Sequence, residues 1–371
     1  MLKKLAIMSI AAIAMALPAH AQELNSMSWD QIVAQAKKEG QVTWFQWYFQ
    51  DRFREQVKAF ETETGIKVVI PDGSHDANLN KLLAEKDRPD GDIDVLSLAG
   101  GDLNKIKPEQ LFFGPINMLL PEGSKLRYTI EGGDSKGYAP AFWGNQAGIA
   151  YNPDRIQEAE LPRTLDQLAA FLEKNPGELG FNADWSGGGS GPALIEAVTR
   201  SLVPDIDYAA GVSSPEILNK LTPAWDWFNQ HKNQFVLTAS NADSITRLTS
   251  GEFKMVAAYE DFVAGLQNKG EVPKNVKVYV PDFKMPGGGN VVTIPANAKH
   301  KAAALLLINW LTSGKTQTTF SREFGSAPQN PNADTSKSLI PASERANSFI
   351  WASEPLDSDL LKQFAEHVTL K

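Results

Sequence analysis

The sequence predicts an α/β fold with two domains, and three observations support this. Its 371 residues exceed the roughly 150 residues of a typical single domain. Its 42% apolar content is ample for packed cores. In the first third, short β-branched or aromatic runs alternate with helical stretches, which is typical of a mostly parallel sheet covered by helices. There is no cysteine, which excludes disulfides, thiolate metal sites and a cysteine nucleophile.

The first 21 residues have the pattern of a secretory signal peptide. Lys3 and Lys4 are followed by an uncharged run over 5–17, and Ala19-His20-Ala21 fits the small-x-small rule for cleavage. The run is too short to span a bilayer core of about 30 Å, so an uncleaved anchor is the weaker alternative. We therefore expect an exported protein, with mature residues starting at Gln22.

The elements of the first third follow from periodicity and end signals. Phe53, Val57 and Phe60 recur at spacings of four and three, which indicates a helix that ends at Gly65. The run over 66–70 is short and apolar, as expected for a strand buried on both faces. The predicted elements are helices over 28–38, 51–64 and 78–86, and strands over 41–49, 66–70 and 94–99.

Beyond residue 138 the pattern continues with longer strands. The predicted elements there are strands over 138–151, 179–182, 253–258, 277–280 and 291–294, a turn over 287–289, and helices over 164–174, 192–202, 244–251 and 298–312. No internal repeat and no low-complexity linker divides the chain. We therefore expect two discontinuous domains joined by crossing strands rather than by a flexible tether.

Four segments in this order carry a resemblance to a known family. They are FETETGIKV over 60–68, GDIDVL over 91–96, AYNP over 150–153 and IPANAKHKAAALLLINWLTSG over 294–314. Each segment by itself is a weakly specific motif. Together and in this order, they resemble the periplasmic solute-binding component of an ABC importer. Within that superfamily the chain is most similar to receptors for thiamine, polyamines and ferric ion.

The resemblance implies a two-lobed periplasmic binding protein-like fold of type II, with a ligand cleft between the lobes. The first lobe would comprise 22–138 and 270–318, and the second 139–269 and 319–371. The cleft would close on a small solute without catalysis, and the closed monomer would dock on the permease in the inner membrane. No cofactor or metal is implied. A net charge of −8 gives no basic surface for nucleic acid.

Ligands of open α/β sheets bind beyond the carboxyl ends of the strands, and several candidate residues stand there. Trp47 and Tyr48 follow the first strand, where related receptors place an aromatic residue that can stack on a ring or a cation. His75 follows the second strand. Gly101 and Asp102 follow the third, where backbone amides are available. The alternatives are core packing for the aromatics and helix or turn capping for the others.

The crossing stretch and a glycine-rich loop supply further candidates. Trp143 and Gln146 lie on the stretch that lines the hinge in related receptors. Asp184 precedes the loop over 186–191, whose amides, with the positive end of the next helix, favour a carboxylate or phosphate. The candidates on that loop are Gly188, Gly189 and Ser190. The alternative is a flexible connection between lobes.

A last group of candidates favours a cation. Tyr259, Glu260 and Asp261 end a strand that should return to the hinge, and two carboxylates beside a tyrosine suit an ammonium or thiazolium-like group. Asn241, at the start of a helix, is a further candidate. The alternative for these residues is helix capping.

The residues leave the ligand open between a heteroaromatic cation, a polyamine, a phosphorylated or zwitterionic compound, and a sugar. Iron is disfavoured, because ferric receptors use adjacent tyrosines and this sequence has no Tyr-Tyr. A secreted hydrolase is the alternative function, although no Ser-His-Asp signature supports it, and a periplasmic scaffold that binds only proteins is a third.

Overall fold

The structure is a computed structural model that describes residues 24–130, 133–336 and 338–371. The predicted signal peptide therefore lies outside the described residues. Helices and strands alternate from the first described residues onward, as expected for an α/β protein. Within the described ranges, no helix is both long and apolar enough to cross a membrane.

The first part of the chain forms β-α units whose ends are set by local sequence. Ser28 and Gln31 form a capping box before the first helix, and Gly40 ends it in a left-handed conformation. The elements are α1 (Trp29–Glu39), β1 (Gln41–Phe45), α2 (Gln50–Thr64), β2 (Lys67–Val69), α3 (His75–Glu85), β3 (Val95–Ala99), α4 (Pro108–Leu111) and the hairpin β4 (Thr129–Ile130) and β5 (Gly133–Asp134).

The middle of the chain begins with the long strand β6 (Ala141–Tyr151). It continues with α5 (Leu165–Lys174), β7 (Leu179–Asn182), α6 (Ser190–Leu202), α7 (Pro215–Lys220), α8 (Thr222–Gln230), β8 (Val236–Thr238), α9 (Asn241–Thr249), β9 (Met255–Tyr259), α10 (Glu260–Lys269) and β10 (Lys277–Tyr279). The last elements are β11 (Met285–Thr293), α11 (Lys301–Thr312), α12 (Gly314–Phe324), α13 (Ala342–Arg345), β12 (Ser348–Phe349) and α14 (Leu356–Phe364).

Ten strands of the described chain form one sheet in the order β2-β1-β3-β11-β6-β9-β7-β8, with β10 on β6 and β12 on β11. The outer strands are parallel: β1 pairs with β2 and β3, and β7 pairs with β8 and β9. The central strands are antiparallel. Residues 141–146 of β6 pair with β11, whereas residues 147–151 pair with β9, so β6 belongs to both halves of the sheet.

The three glycines over 287–289 form part of β11, and the predicted turn there is wrong. They allow close approach of the neighbouring strand instead. A Cβ atom on Gly289 would lie 2.1 Å from the carbonyl oxygen of Trp143, and one on Gly287 would lie 2.3 Å from the Gln146 side chain. The glycines therefore serve the contact between the two central strands.

Buried side chains form separate clusters on the two halves of the sheet. The largest draws on residues 147–285 and 340–368, and the other two draw on 24–143 and 291–324. This packing differs from the predicted division at two segments. Residues 272–285 pack with the 147–258 region because β10 pairs with the second half of β6. Phe320 and Phe324 pack with Phe53 and Trp143 on the other half.

Candidate ligand-binding site

A cleft of about 1110 Å³ lies between the two halves of the molecule. One wall consists of residues that follow β1, β2 and β3, at the carboxyl ends of three neighbouring parallel strands. The other wall consists of the Trp185 turn, Ala209 and Ala210, and the C-terminal segment 350–357. The position agrees with the rule that ligands of open α/β sheets bind beyond the carboxyl ends of strands.

The first wall is organised around a histidine-aspartate pair. His75 is the first residue of α3, whose N-cap is Ser74, and its Nε2 lies 2.7 Å from Oδ2 of Asp102. The same carboxylate oxygen accepts the backbone N–H of Ala99 at 2.9 Å. The Trp47 ring contacts the His75 ring edge-on, with centroids 4.8 Å apart. The pair thus fixes both the imidazole and the indole at the rim of the cleft.

The charge of this pair follows from its neighbours. Burial lowers the pKa of the His75 imidazolium, but hydrogen bonding and the negative charge of Asp102, with a smaller contribution from Asp76, outweigh burial and leave the pKa raised. His75 therefore holds its proton to higher pH than a free histidine. Lys105 adds a second positive group on this wall.

The second wall presents two tryptophans side by side. Trp185 lies in a short 3₁₀ turn that is capped by Asp184, which accepts the backbone N–H groups of Ser186 at 2.8 Å and Gly187 at 3.2 Å. The Trp185 side chain is 46% exposed, and its ring centroid lies 5.0 Å from that of Trp351. The two rings form an aromatic surface that faces the cleft.

Two carboxylates stand next to these tryptophans. Glu354 and Asp357 both line the cleft. Burial, then the negative charges of Glu196 and Glu354, raise the pKa of Asp357 to about 7, while a hydrogen bond from Trp185 and the charge of Lys105 oppose the rise. Lys105 belongs to the opposite wall, so Asp357 senses charge across the cleft.

Trp47 and His75 are the predicted residues that line the cleft, and Gly101 and Asp102 lie there too. Asp184 lies beside the cleft as the cap of the Trp185 turn. The other predicted residues do not line it, and each has contacts that explain its position.

Tyr48, Trp143 and Gln146 lie where the two halves meet. The Tyr48 hydroxyl donates to Asn290 Oδ1 at 2.8 Å, and the buried Trp143 ring packs among the phenylalanines of α2 and α12. The Gln146 amide donates to the carbonyl of Pro286 at 3.1 Å, and so links β6 to β11. The alternative of core packing therefore describes Trp143.

The glycine-rich loop uses its polar groups internally. Both the hydroxyl and the backbone N–H of Ser190 donate to Oδ1 of Asn241, and the N–H of Gly191 donates to Oδ1 of Asn182 at 3.1 Å. A Cβ on Gly189 would lie 2.4 Å from the Trp185 ring, and one on Gly188 would lie 2.5 Å from the Asn241 amide. Two asparagine side chains thus accept the backbone amides of Ser190 and Gly191, which the sequence offered to an anion.

The acidic cluster at the end of β9 is buried behind the cleft. Glu260 pairs with Arg345 at 2.5 Å and accepts the N–H of Ile340 at 2.8 Å. Asp261 accepts the indole N–H of Trp143 at 3.3 Å. Burial, then the charge of Glu260, raise the pKa of Asp261 to about 7. The cation that pairs with Glu260 is therefore Arg345 of the same chain and not a ligand. Tyr259 precedes them, opposite Ala147 of β6.

Sequence reasoning missed the residues of the second wall. Trp185 stands next to the glycine-rich loop, but its role depends on Trp351, which is 166 positions away in the chain. Trp351, Glu354 and Asp357 follow no strand long enough to mark a sheet edge. The local signal was a tryptophan followed by two acids around Pro355, which by itself favours only a surface loop.

The comparisons with known proteins agree with this architecture. The family model described as bacterial extracellular solute-binding protein matches residues 55–346. The Fe(3+)-binding periplasmic protein of Serratia marcescens is 24% identical over 276 residues, covering 70% of each chain. A Sinorhizobium fredii protein named "Probable ABC transporter periplasmic-binding protein y4fP" is 22% identical over 283 residues, covering 76% of this chain and 72% of that one.

A solved structure shares the fold. The spermidine/putrescine ABC transporter substrate-binding protein PotD from Streptococcus pneumoniae superposes with a TM-score of 0.63 at 15% identity, covering 88% of this chain and 99% of that one. The fold is that of the two-lobed, type II periplasmic binding proteins, which confirms the predicted class. The chain belongs to the bacterial extracellular solute-binding protein family. It is a periplasmic solute-binding receptor of an ABC transporter, and the predicted resemblance is confirmed.

Proposed function

We propose that this receptor captures a small organic cation, such as a polyamine or a thiamine-like heteroaromatic, by closing its two lobes. The observation that carries the proposal is the combination of three tryptophans and four acids around one cleft. The tryptophans are Trp47, Trp185 and Trp351, and the acids are Asp76, Asp102, Glu354 and Asp357.

The charges of the cleft favour a cation over an anion. Four carboxyl groups face Lys105 and the His75 imidazole, and Asp102 is already paired with His75. Asp76, Glu354 and Asp357 thus leave an excess of negative charge over Lys105. A positively charged ligand gains from this excess in a partly dehydrated cleft, whereas a phosphate would be repelled.

The aromatic groups act with the charges. A cation over an indole face gains about 0.5–2 kcal/mol, depending on how far it is desolvated. The polyamine receptor that shares the fold supports this class, since its name gives spermidine and putrescine as its solutes. The Fe(3+)-binding relative would instead suggest ferric ion as the ligand. The sequence, however, has no adjacent tyrosines of the kind found in ferric receptors.

Closure would use the central strands as the hinge. We infer lobe boundaries that follow the packing, with 24–143 and 289–336 in one lobe and 144–288 and 338–371 in the other. β6 and β11 would then cross between lobes near Gln146 and Gly287. A ligand that contacts both walls stabilises the closed form by its differential affinity. The closed monomer would then deliver the solute to the inner-membrane permease without catalysis.

Native mass spectrometry of protein purified without refolding tests the ligand class directly. We expect a co-purified organic cation, and we expect spermidine or thiamine to raise the melting temperature. Maltose, ferric citrate and a phosphorylated zwitterion are the comparison ligands. Stabilisation by one of these alone would reject the cation. Robust turnover in esterase, phosphatase or glycosidase assays would favour the hydrolase, and N-terminal sequencing starting at Gln22 would support export to the periplasm.

A further inference from the structure

The C-terminal strap, defined as residues 348–357, supplies much of the second wall of the cleft. Its cleft-lining residues are Ile350, Trp351, Ala352, Ser353, Glu354 and Asp357. The match to the family model ends at residue 346, so the whole strap lies beyond the matched part of the chain. A wall outside the family pattern is a natural place for specificity to differ between members.

The strap is held firmly on both sides of Trp351. The guanidinium of Arg200 donates to the carbonyl of Ile350 at 2.8 Å, and Glu196 accepts the N–H of Ala352 at 2.8 Å. Arg200 and Glu196 are themselves paired one turn apart on α6. The backbone around Trp351 is therefore fixed, and its ring is presented to Trp185 in a defined orientation.

The strap also connects the cleft to the crossing strand. Ser348 and Phe349 form β12, which pairs in parallel with Met285 and Pro286 at the start of β11. The Gln146 amide on β6 donates to the carbonyl of the same Pro286. A ligand that binds the strap thus contacts a segment that is hydrogen-bonded to the region where β6 and β11 cross.

Asp357 has the surroundings of a ligand-binding acid, because within the described part of the chain it forms no ion pair with a lysine, arginine or histidine. It is the second residue of α14 and is half-buried. Glu196 and Glu354 lie near it, and the Glu196 Oε2 atom is buried without a hydrogen-bond partner. Lys105 acts on it only from across the cleft. A cation placed between the walls would offset this accumulation of carboxyl groups.

We propose that the C-terminal strap is the specificity-determining wall, with Asp357 binding the charged nitrogen of the solute and Trp351 with Trp185 packing against its carbon skeleton. This inference rests on the proposed function, because it assumes a cationic ligand. It goes further by assigning the positive group of that ligand to the second wall, next to the strap, rather than to Asp76 or Asp102 on the first wall.

Isothermal titration of the full mature chain with spermidine and with thiamine tests the assignment. Asp357→Asn should weaken binding of the stabilising cation about tenfold or more, since it removes a charged partner in a dehydrated site. Asp359→Asn is the matched control, because Asp359 lies on the same helix but accepts the Ser213 hydroxyl away from the cleft. It should change the affinity by less than about twofold.

The pH dependence gives a second readout. Because the pKa of Asp357 lies near 7, the wild type should bind the cation about five- to tenfold more tightly at pH 7.5 than at pH 6. Glu196, Glu354 and Lys105 act on this acid, and His75 titrates on the facing wall, so some pH dependence should survive in Asp357→Asn. The variant should nevertheless lose most of it.

Two results separate the two proposals. Binding of a cation by the wild type with unchanged affinity and pH profile in Asp357→Asn would overturn the strap assignment and leave the cation receptor standing. Failure of both cations to bind the wild type would overturn the ligand class, and the strap assignment with it. Melting curves of the ligand-free variants, unchanged within a few degrees, show that a loss of affinity is not a loss of fold.

Discussion

At the scale of single residues, the buried acids differ in what they face. Glu260 is paired with Arg345, so its charge is compensated inside the protein. Asp261 accepts the Trp143 indole, and Arg52 and Tyr48 also interact with it from α2 and the loop before it. With Glu260 beside it, burial leaves the pKa of Asp261 near 7. Neighbouring acids thus have different roles because their partners lie on different elements.

The free energy of unfolding should depend on pH because folding raises the pKa of Asp261. Between about pH 4 and pH 7 the folded protein holds a proton on Asp261 that the unfolded chain releases, so stability falls as pH rises through this window. The stability of Asp261→Asn should fall less over this pH range. At pH 8 its free energy of unfolding should exceed that of the wild type by about 1–3 kcal/mol. Urea titrations at pH 5 and pH 8 measure it, with Asp359→Asn as control. Parallel pH profiles for Asp261→Asn and the wild type would contradict the prediction.

Trp47 carries a second residue-scale prediction. It lines the cleft, where its ring contacts the rings of His75 and Tyr48, so Trp47→Ala should weaken cation binding about 3- to 30-fold with little loss of stability. Trp47→Phe keeps an aromatic face and should recover part of the loss. Titration calorimetry checks both variants. Equal affinity for Trp47→Ala and the wild type would remove this indole from the site.

At the scale of elements, the contact between α6 and β7 positions the second wall. Helix α6 begins beside the end of β7, and its start is so close that a Cβ on Gly191 would lie 1.6 Å from the carbonyl oxygen of Asn182. The same helix carries Glu196 and Arg200, which hold the C-terminal strap. The close contact between Gly191 and Asn182 therefore positions both the Trp185 turn and the C-terminal strap.

Gly191→Ala should destabilise the protein by at least about 2 kcal/mol, because backbone must move to admit the methyl group. Gly65→Ala is the comparison. Gly65 ends α2 with φ of 76° and open space around its Cβ position, so its cost is conformational only, about 1 kcal/mol. Midpoints of urea unfolding compare the two. A smaller loss for Gly191→Ala than for Gly65→Ala would mean that the α6 contact relaxes easily.

At the scale of the whole molecule, the two walls come from opposite halves of one sheet. In the proposed closure, the distance between the two walls would change as β6 and β11 bend where they cross. Because the protein has no cysteine, introduced cysteines give unique sites for fluorescent labels. Leu83 on one half and Val212 on the other are 50% and 57% exposed and do not line the cleft, so they suit this purpose.

Energy transfer between labels on Leu83→Cys and Val212→Cys should rise when spermidine or thiamine binds, because closure brings the halves together. Labels on Leu83→Cys and Met118→Cys, both on the first half, should give no change. Met118 is 80% exposed and precedes the crossing strand. Binding by calorimetry with constant transfer in both pairs would exclude closure as the response to ligand.

Much of this organisation was predictable from local patterns. The α/β alternation, the long crossing strand and the helix end at Gly65 depend on residues a few positions apart, and the structure confirms them. The edge that holds Trp47 and His75 was predictable as well, because parallel strands place their carboxyl ends together. The signal peptide stays a prediction, because it lies outside the described residues.

The sequence by itself determined the family, the fold class and one wall of the cleft, since these follow from segment order and from strand ends. Only the tertiary structure decided which polar groups are used up internally. It paired Glu260 with Arg345 and gave the amides of Gly191 and Ser190 to Asn182 and Asn241. It also brought Trp351 against Trp185. The physical reason is that hydrogen bonds and ring contacts between residues far apart in the chain leave no local pattern, so they form only when the helices, strands and loops of the second half of the molecule pack against one another.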